Sequence, residues 1–374
     1  MDRHDLLGLS AETFDDLSEH FVRREHDAFT YRHLPDYRSR VDRGTVLIDD
    51  DIPESPVVPG FPKIPRTLVL DPGVENHFDG EIVVEEKLNG YNVRIARIDG
   101  EVFAFTRSGL VCPYTTYLAR ERFDVVPLLD ARPELTVCGE TIGPENPYTT
   151  HDYTDVDGVA FRLFDLRERP SGDPLPVDER RALCTEYGLP HPRLLGRHDA
   201  ADAARPVREA IERLDEEDGE GVVMKSVDGR DQLKYTTSVS TRSDLEYAFS
   251  LFFDYGREFT FRRVIREGFQ AAEWGVDEAE RDERAHAIGE AILSPMIETI
   301  EAVERGEPIG DRHTVRGPPE VIDDLLDHFR EMGMHLTVED DRRTEGERIV
   351  TFIKVHQSTR DKTAAYLDGT IVRE

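Results

Sequence analysis

Residues 85–94 read Glu-Glu-Lys-Leu-Asn-Gly-Tyr-Asn-Val-Arg. The apolar run Ile82-Val83-Val84 leads in. Beyond the polar turn Asn89-Gly90, Val93 and Ile95 alternate with Asn92 and Arg94. Period-two alternation reads as strand. Lys87 therefore sits where one strand ends and a turn begins, a place that can hold a side chain over a pocket. Lysine is scarce: of 47 basic residues only six are Lys, at positions 63, 87, 225, 234, 354 and 362. Arg stays protonated and cannot act as a nucleophile, whereas Lys can, so a retained Lys asks for a chemical reason.

At 374 residues the chain has room for two or three domains with sizeable cores. A 38% hydrophobic content suits a folded protein. No run of about 18 apolar residues predicts a membrane span. The polar start MDRHDLLGLS lacks a signal-peptide core, and Cys112, Cys138 and Cys184 form no metal or disulfide pattern; both predict a reducing cytoplasm. The net charge is −31, with the 78 carboxylates spread through the chain. We read this as a surface adapted to a salt-rich cytoplasm rather than as a partner-binding acidic tail. Such a charge repels nucleic acid in dilute buffer. At about 1 M salt, however, the Debye length is only ~3 Å and local contacts decide binding.

In chain order, residues 1–58 form an N-terminal appendage. Ser10 is placed to cap a helix over 11–25, and Val46–Ile48 predicts a strand before an acidic loop at 49–51. Five prolines in PESPVVPGFPKIPR predict an extended linker. Residues 59–240 read as strand-dominated α+β structure. Asp99-Gly100 joins two alternating runs as a hairpin, a helix is expected over 114–122, and FRLFDL (161–166) reads as a buried strand. Helical patterns follow near 178–187 and 199–214. Residues 241–308 read as helical, with Ser243 as a cap and a break or kink at Pro295. Arg257, Arg262, Arg263 and Arg266 alternate there with Phe259, Phe261 and Phe269. That pattern suits either RNA contact or packing with Arg left to solvent. A polar link over 305–317 leads to a small αβ unit, 309–374.

The chemistry lies in an ordered set: EEKLNG, then TRSG (106–109), CGET (138–141), LFDL (163–166), EGVVMK (220–225) and LKY (233–235). Singly each is weak; together they resemble the covalent nucleotidyltransferases. Within that superfamily the chain looks most like the archaeal homodimeric ATP-dependent RNA ligases. The resemblance implies an ATP-grasp-like catalytic domain of antiparallel sheets with helices, a helical dimerisation segment, ATP with Mg²⁺ or Mn²⁺ as cofactors, and RNA with 5′-phosphate and 3′-hydroxyl ends as substrate. It implies that Lys87 takes AMP and that Glu85 accepts the adenine amino group. Asn89 and Gly90 form the turn beside the nucleotide, and Arg94 and Arg107 grip phosphate. Glu140 binds ribose, Phe164 stacks on adenine, Glu220 holds the metal, and Lys225 and Lys234 neutralise the triphosphate.

Two positions depart from the family pattern: Asn89 stands where Asp is usual, and Thr236 stands where a second Lys is usual. A DNA ligase or capping-type transferase shares the first step, but a β-rich domain is expected after the last motif and residues 242–305 read as helical. A non-catalytic module that kept the pocket predicts ATP binding without a covalent adduct. His151 reads as a structural or surface residue.

Overall fold

Among the described residues, alternation at period two resolves into four antiparallel sheets. The computed structural model describes residues 3–26, 29–49, 57–149, 151, 153 and 155–371. The chain opens with α1 (Arg3–Leu6), α2 (Ala11–Ser18), β1 (Val22–His26), β2 (Phe29–His33), β3 (Val46–Ile48) and β4 (Val57–Val58). Next come β5 (Glu81–Lys87), β6 (Tyr91–Ile98), β7 (Glu101–Thr106), α3 (Pro113–Glu121), α4 (Val126–Ala131), β8 (Leu135–Ile142) and β9 (Ala160–Glu168). Then follow α5 (Val177–Glu186), β10 (Leu194–Asp199), α6 (Ala204–Glu216), β11 (Gly221–Ser226) and β12 (Gln232–Thr236). Three helices follow, α7 (Ser238–Ser250), α8 (Arg257–Trp274) and α9 (Glu278–Glu304). The chain closes with β13 (Gly310–Gly317), α10 (Pro319–Glu331), β14 (His335–Thr344), β15 (Glu347–Val355) and α11 (Gln357–Leu367). The sheet orders are β1-β2-β3-β4, β10-β5-β11-β12, β7-β6-β8-β9 and β13-β15-β14. The expected α+β class is what forms.

Two sheets position the site. In the first, Ile82, Val84, Val222, Met224, Leu233 and Tyr235 share one face and pack on Val207, Ile211 and Leu214 of α6. Burying each such side chain contributes about 1.5–3 kcal/mol. The other face is thereby committed to Glu85, Lys87, Lys225, Gln232, Lys234 and Thr236, since side chains alternate along each strand. In the second sheet, Val93, Ile95, Val137, Phe161 and Leu163 face a core completed by α3 and by Phe329, Val350 and Phe352 of the C-terminal unit. That unit therefore shares a core with this second sheet. The N-terminal sheet does likewise, with Phe29, Tyr31, Val46 and Ile48 packing against Phe103 and Phe105. Asp99 and Gly100 both have positive φ, 47° and 81°, as the tight hairpin turn requires.

Several local expectations are corrected. Ser10 does cap a helix, accepting from the Thr13 N–H at 3.2 Å, but α2 ends at Ser18 and 22–26 is a strand paired with β2. Val57–Val58 is not linker but pairs with β3; residues 50–56, which hold part of the acidic loop and the start of the proline stretch, lie outside the described residues. Thr237, not Ser243, caps α7, its Oγ1 accepting from the Ser240 N–H at 3.1 Å. α9 is not broken at Pro295 but runs through it. Residues 310–317 form β13, paired along its length with β15, rather than a polar link.

Candidate active site

A cavity of about 570 Å³ opens between these two sheets. Glu85, Lys87, Val223, Lys225, Gln232 and Lys234 line it from one side; Asn92, Arg107, Glu140 and Phe164 line it from the other. Three of the six lysines thus converge from adjacent strands. Asn92 and Glu140 are cross-strand partners on β6 and β8. Phe164 is brought in by a bulge. Cys138 pairs with Asp165 and Gly139 with Leu163, leaving Phe164 as the extra residue on β9. Such a bulge re-aims a side chain.

Lys87 ends β5 opposite Gly221. With no side chain at 221, the neighbouring Glu220 reaches across, and Lys87 Nζ donates to its Oε2 at 2.6 Å. A Cβ at 221 would stand 2.3 Å from the Tyr235 carbonyl, so the position excludes larger residues. Lys234, half-shielded one strand further on, is pushed down to about 8, first by burial and then by Lys87 and Arg66. Glu140 is pushed up to about 7, first by burial and also by Glu220, against the pull of Lys87 and Arg107.

Glu85 and Lys225 lie deeper. Lys225 Nζ is 3.1 Å from Glu85 Oε2 and donates to the Phe164 carbonyl at 2.6 Å. Glu85 Oε1 accepts from Arg180 and, at 2.8 Å, from Arg181. Burial alone would raise the Glu85 carboxyl, but Lys225 and Arg180 prevail and hold it near 2.

Glu220 pairs with Lys87, Glu140 lines the same cavity and feels the Lys87 charge, and among the described residues no three His, Cys, Asp or Glu side chains group as a metal cage. Two acids with room for phosphate and water suit Mg²⁺ or Mn²⁺, which take one or two carboxylates and complete their shell with phosphate oxygens.

Comparison with known proteins agrees with this geometry. The RNA ligase family matches residues 80–237, and the family described as the Ligase Pab1020 C-terminal region matches residues 247–370. An uncharacterized protein of Methanocaldococcus jannaschii is 42% identical over 341 residues, spanning 88% of this chain and 86% of that protein. Two solved structures of an archaeal ATP-dependent RNA ligase, form 1 and form 2, superpose with a TM-score of 0.91 at 39% identity, covering 99% of this chain and 98% of theirs. This chain belongs to the RNA ligase family. A candidate ATP-dependent DNA ligase from Aquifex aeolicus is also similar, with a TM-score of 0.89 at 26% identity over 97% of this chain.

Within the RNA ligase family fold, Arg94 and Asn89, both expected beside the nucleotide, are not among the residues that line the cavity. Arg94 is fully buried and does not reach the cavity. Its guanidinium donates to the Pro59 carbonyl and, at 2.9 Å, to the Thr106 carbonyl. By Ala96 this face of β6 is roofed by the N-terminal sheet, and Arg94 lies under the edge of that roof. It braces the turn that presents Arg107, which His33 also holds through the Ser108 carbonyl at 2.8 Å. Asn89 likewise stays off the cavity wall, exchanging hydrogen bonds through its backbone with the Tyr153 hydroxyl at 2.6 and 3.1 Å. Gly90 does line the cavity. Glu85 lines it too, at 1% exposure, with Lys225, Arg180 and Arg181 on its carboxylate.

The motifs omitted Asn92, whose buried Oδ1 has no hydrogen-bond partner in the cavity wall, although its alternation with Val93 marked it as facing away from the core. They also omitted Phe61, edge-on to Phe164 at 5.2 Å, and Met332 and Met334 from the C-terminal unit. No spacing rule links residue 334 to residue 87; only the shared core does. His151 stands edge-on to the Tyr153 ring at 4.9 Å.

Proposed function

We propose that this chain is an ATP-dependent RNA ligase joining 5′-phosphate and 3′-hydroxyl ends in three transfers. The observation that carries this reading is Lys87 at the cavity wall, held by Glu220 at 2.6 Å, with Lys234 on the same face. First, Lys87 Nζ passes a proton to Glu220 and its freed pair bonds to the α-phosphorus of ATP; the bond to the β-phosphate oxygen breaks and pyrophosphate leaves. Lys234 and Arg107 face the charge that develops. Second, an oxygen of the RNA 5′-phosphate attacks the same phosphorus, the P–N bond breaks, and Lys87 regains a proton. Third, the 3′-hydroxyl oxygen attacks the 5′-phosphate, losing its proton as AMP departs. Phe164 stacks on adenine and Glu140 holds ribose. Glu220 and Glu140 would hold Mg²⁺ or Mn²⁺, which supplies charge neutralisation on the phosphate oxygens when bound.

Incubation with ATP and Mg²⁺ tests this reading. The intact protein gains the mass of one AMP and Lys87→Ala does not; a null result with the unaltered chain removes the proposal. The likeness to a candidate DNA ligase favours one rival. Side-by-side sealing of 5′-phosphorylated RNA and DNA decides between them, with RNA expected to be preferred.

Our reading extends to the assembly and its setting. Phe261, Phe269, Leu293 and Ile297 stand exposed on α8 and α9, which suits a contact between two copies of the chain. Light scattering should return twice the monomer mass. The charge of −31 suits an archaeal cytoplasm rich in salt, where sealing is expected to rise with KCl. No helix among the described residues is long and apolar enough to cross a membrane.

A further inference from the structure

At the outer end of β12 two guanidiniums converge on one neutral hydroxyl. Thr236 Oγ1 accepts from Arg66 Nη1 at 2.7 Å and from Arg266 Nη1 at 2.6 Å. Arg266 is 6% exposed, and its buried Nε has no hydrogen-bond partner. Lys234 lies two residues earlier on the same face, and its backbone is bridged to Arg66. Counter-charge is short. Asp244 stands 3.8 Å from Arg266 but is engaged at 2.9 Å by Arg263. Glu220 is held by Lys87, and Glu267 by Ser238 and Arg284. Arg66 forms no ion pair among the described residues and is only partly buried.

In a chain with 78 acidic residues, three cations this close, with only a shared Asp244 at 3.8 Å from one of them, call for another anion. Mutual repulsion is visible at two of them: after burial, Arg66 is the next cause lowering Arg266, and Lys87 and Arg66 are the next causes lowering Lys234, whereas at Arg66 itself burial is opposed first by Glu220 and Asp244. The usual second Lys of the last motif is absent at position 236. Two arginines from the linker and α8 occupy the space around its replacement.

We propose that Arg66 and Lys234 form a phosphate subsite at the Lys87 end of the cavity, with Arg266 as a positioning residue acting through Thr236. The ligand is a phosphate group bearing more than one negative charge, supplied by the triphosphate tail of ATP or by the RNA 5′-phosphate. The assignment rests on the ligase reading above.

Full-length protein carrying Arg66→Ala, Arg66→Lys or Thr236→Val tests it in separate steps. These are AMP loading against ATP concentration, transfer of AMP from the loaded enzyme to 5′-phosphorylated RNA, and sealing of RNA already adenylated. If the tail of ATP is the ligand, Arg66→Ala raises the ATP needed for half-maximal loading about ten-fold, and Arg66→Lys restores most of it. If the RNA phosphate is the ligand, loading is unchanged and transfer falls about ten-fold. In either case Thr236→Val gives a smaller defect in the same step. The subsite is overturned if all three variants load, transfer and seal within about two-fold of the unaltered chain, or if only their unfolding midpoints move. Absence of AMP loading by the unaltered chain would instead remove the ligase reading.

Discussion

Two lysine–glutamate pairs sit two residues apart on the same face of β5, and they are not alike. Glu85 with Lys225 is sealed, the side chains 1% and 4% exposed, and Arg180 and Arg181 close the carboxylate from its other side. Lys87 with Glu220 is open, at 21% and 17% exposed, and its carboxylate has no second cation among the described ion pairs. A buried pair with every oxygen engaged cannot release its lysine without leaving charge stranded in a medium of low dielectric. A half-buried pair at the cavity wall can exchange its partner for a phosphate or a metal, because the incoming charge replaces the one given up. On the reading proposed above, the same two residue types serve as a strut in one place and as a nucleophile with its proton acceptor in the other.

Breaking the sealed pair should have the largest effect on the fold. Glu85→Ala strands Lys225, Arg180 and Arg181 and is expected to cost about 3–5 kcal/mol, read from denaturant unfolding. The pH dependence carries the same signature. The Glu85 carboxyl is lowered from 4.5 to about 2, so its contribution is present above pH 4.5 and lost as pH falls through about 2. That shift is worth about 3 kcal/mol. If Glu85→Ala unfolds at the same denaturant concentration as the unaltered chain, the pair is not a strut.

Breaking the open pair should spare the fold and strike the chemistry. Glu220→Gln keeps a hydrogen-bond acceptor for Lys87 but removes the proton acceptor. AMP loading is expected to slow by about 10²-fold or more, while stability shifts by about 1 kcal/mol or less. A large loss of stability with loading intact would reverse the roles given to the two pairs.

The sequence exposed the open pair more readily than the sealed one. Rarity marked Lys87, Lys225 and Lys234, each in or at the end of a strand-like run, and the strand pairing sets all three on the face the cavity uses. Periodicity also set Arg94 beside Asn92 correctly, yet could not show that the N-terminal sheet roofs the strand by Ala96 and takes Arg94 out of the cavity. Arg180 and Arg181 lie on α5, about 95 residues from Glu85, and nothing local distinguishes them from surface arginines. Strand β13 escaped because HTVR carries little apolar signal. Its pairing with β15 and the burial of Val315 come from tertiary contact. Local order was legible; what covers an element, and so which of its polar residues reach solvent, was not.

Glu140 offers the finest test of the contrast, because it leans on the open pair without belonging to it. Burial and Glu220 raise its carboxyl from 4.5 to about 7, although Lys87 and Arg107 pull the other way. Folding therefore disfavours the charged form. The penalty is absent below pH 4.5, grows as pH rises, and is complete above about 7. Glu140→Gln removes it and should stabilise the ligand-free protein by about 2–3 kcal/mol at pH 8, with the gain vanishing near pH 4.5. Melting temperatures of the two proteins at both pH values measure this directly. Excess ATP and Mg²⁺ should shrink the gain at pH 8, since a bound cation compensates the carboxylate that the variant lacks. A gain of equal size at both pH values would mean that Glu140 is held by packing, not by the charges of Lys87 and Glu220. The open pair would then end at those two side chains.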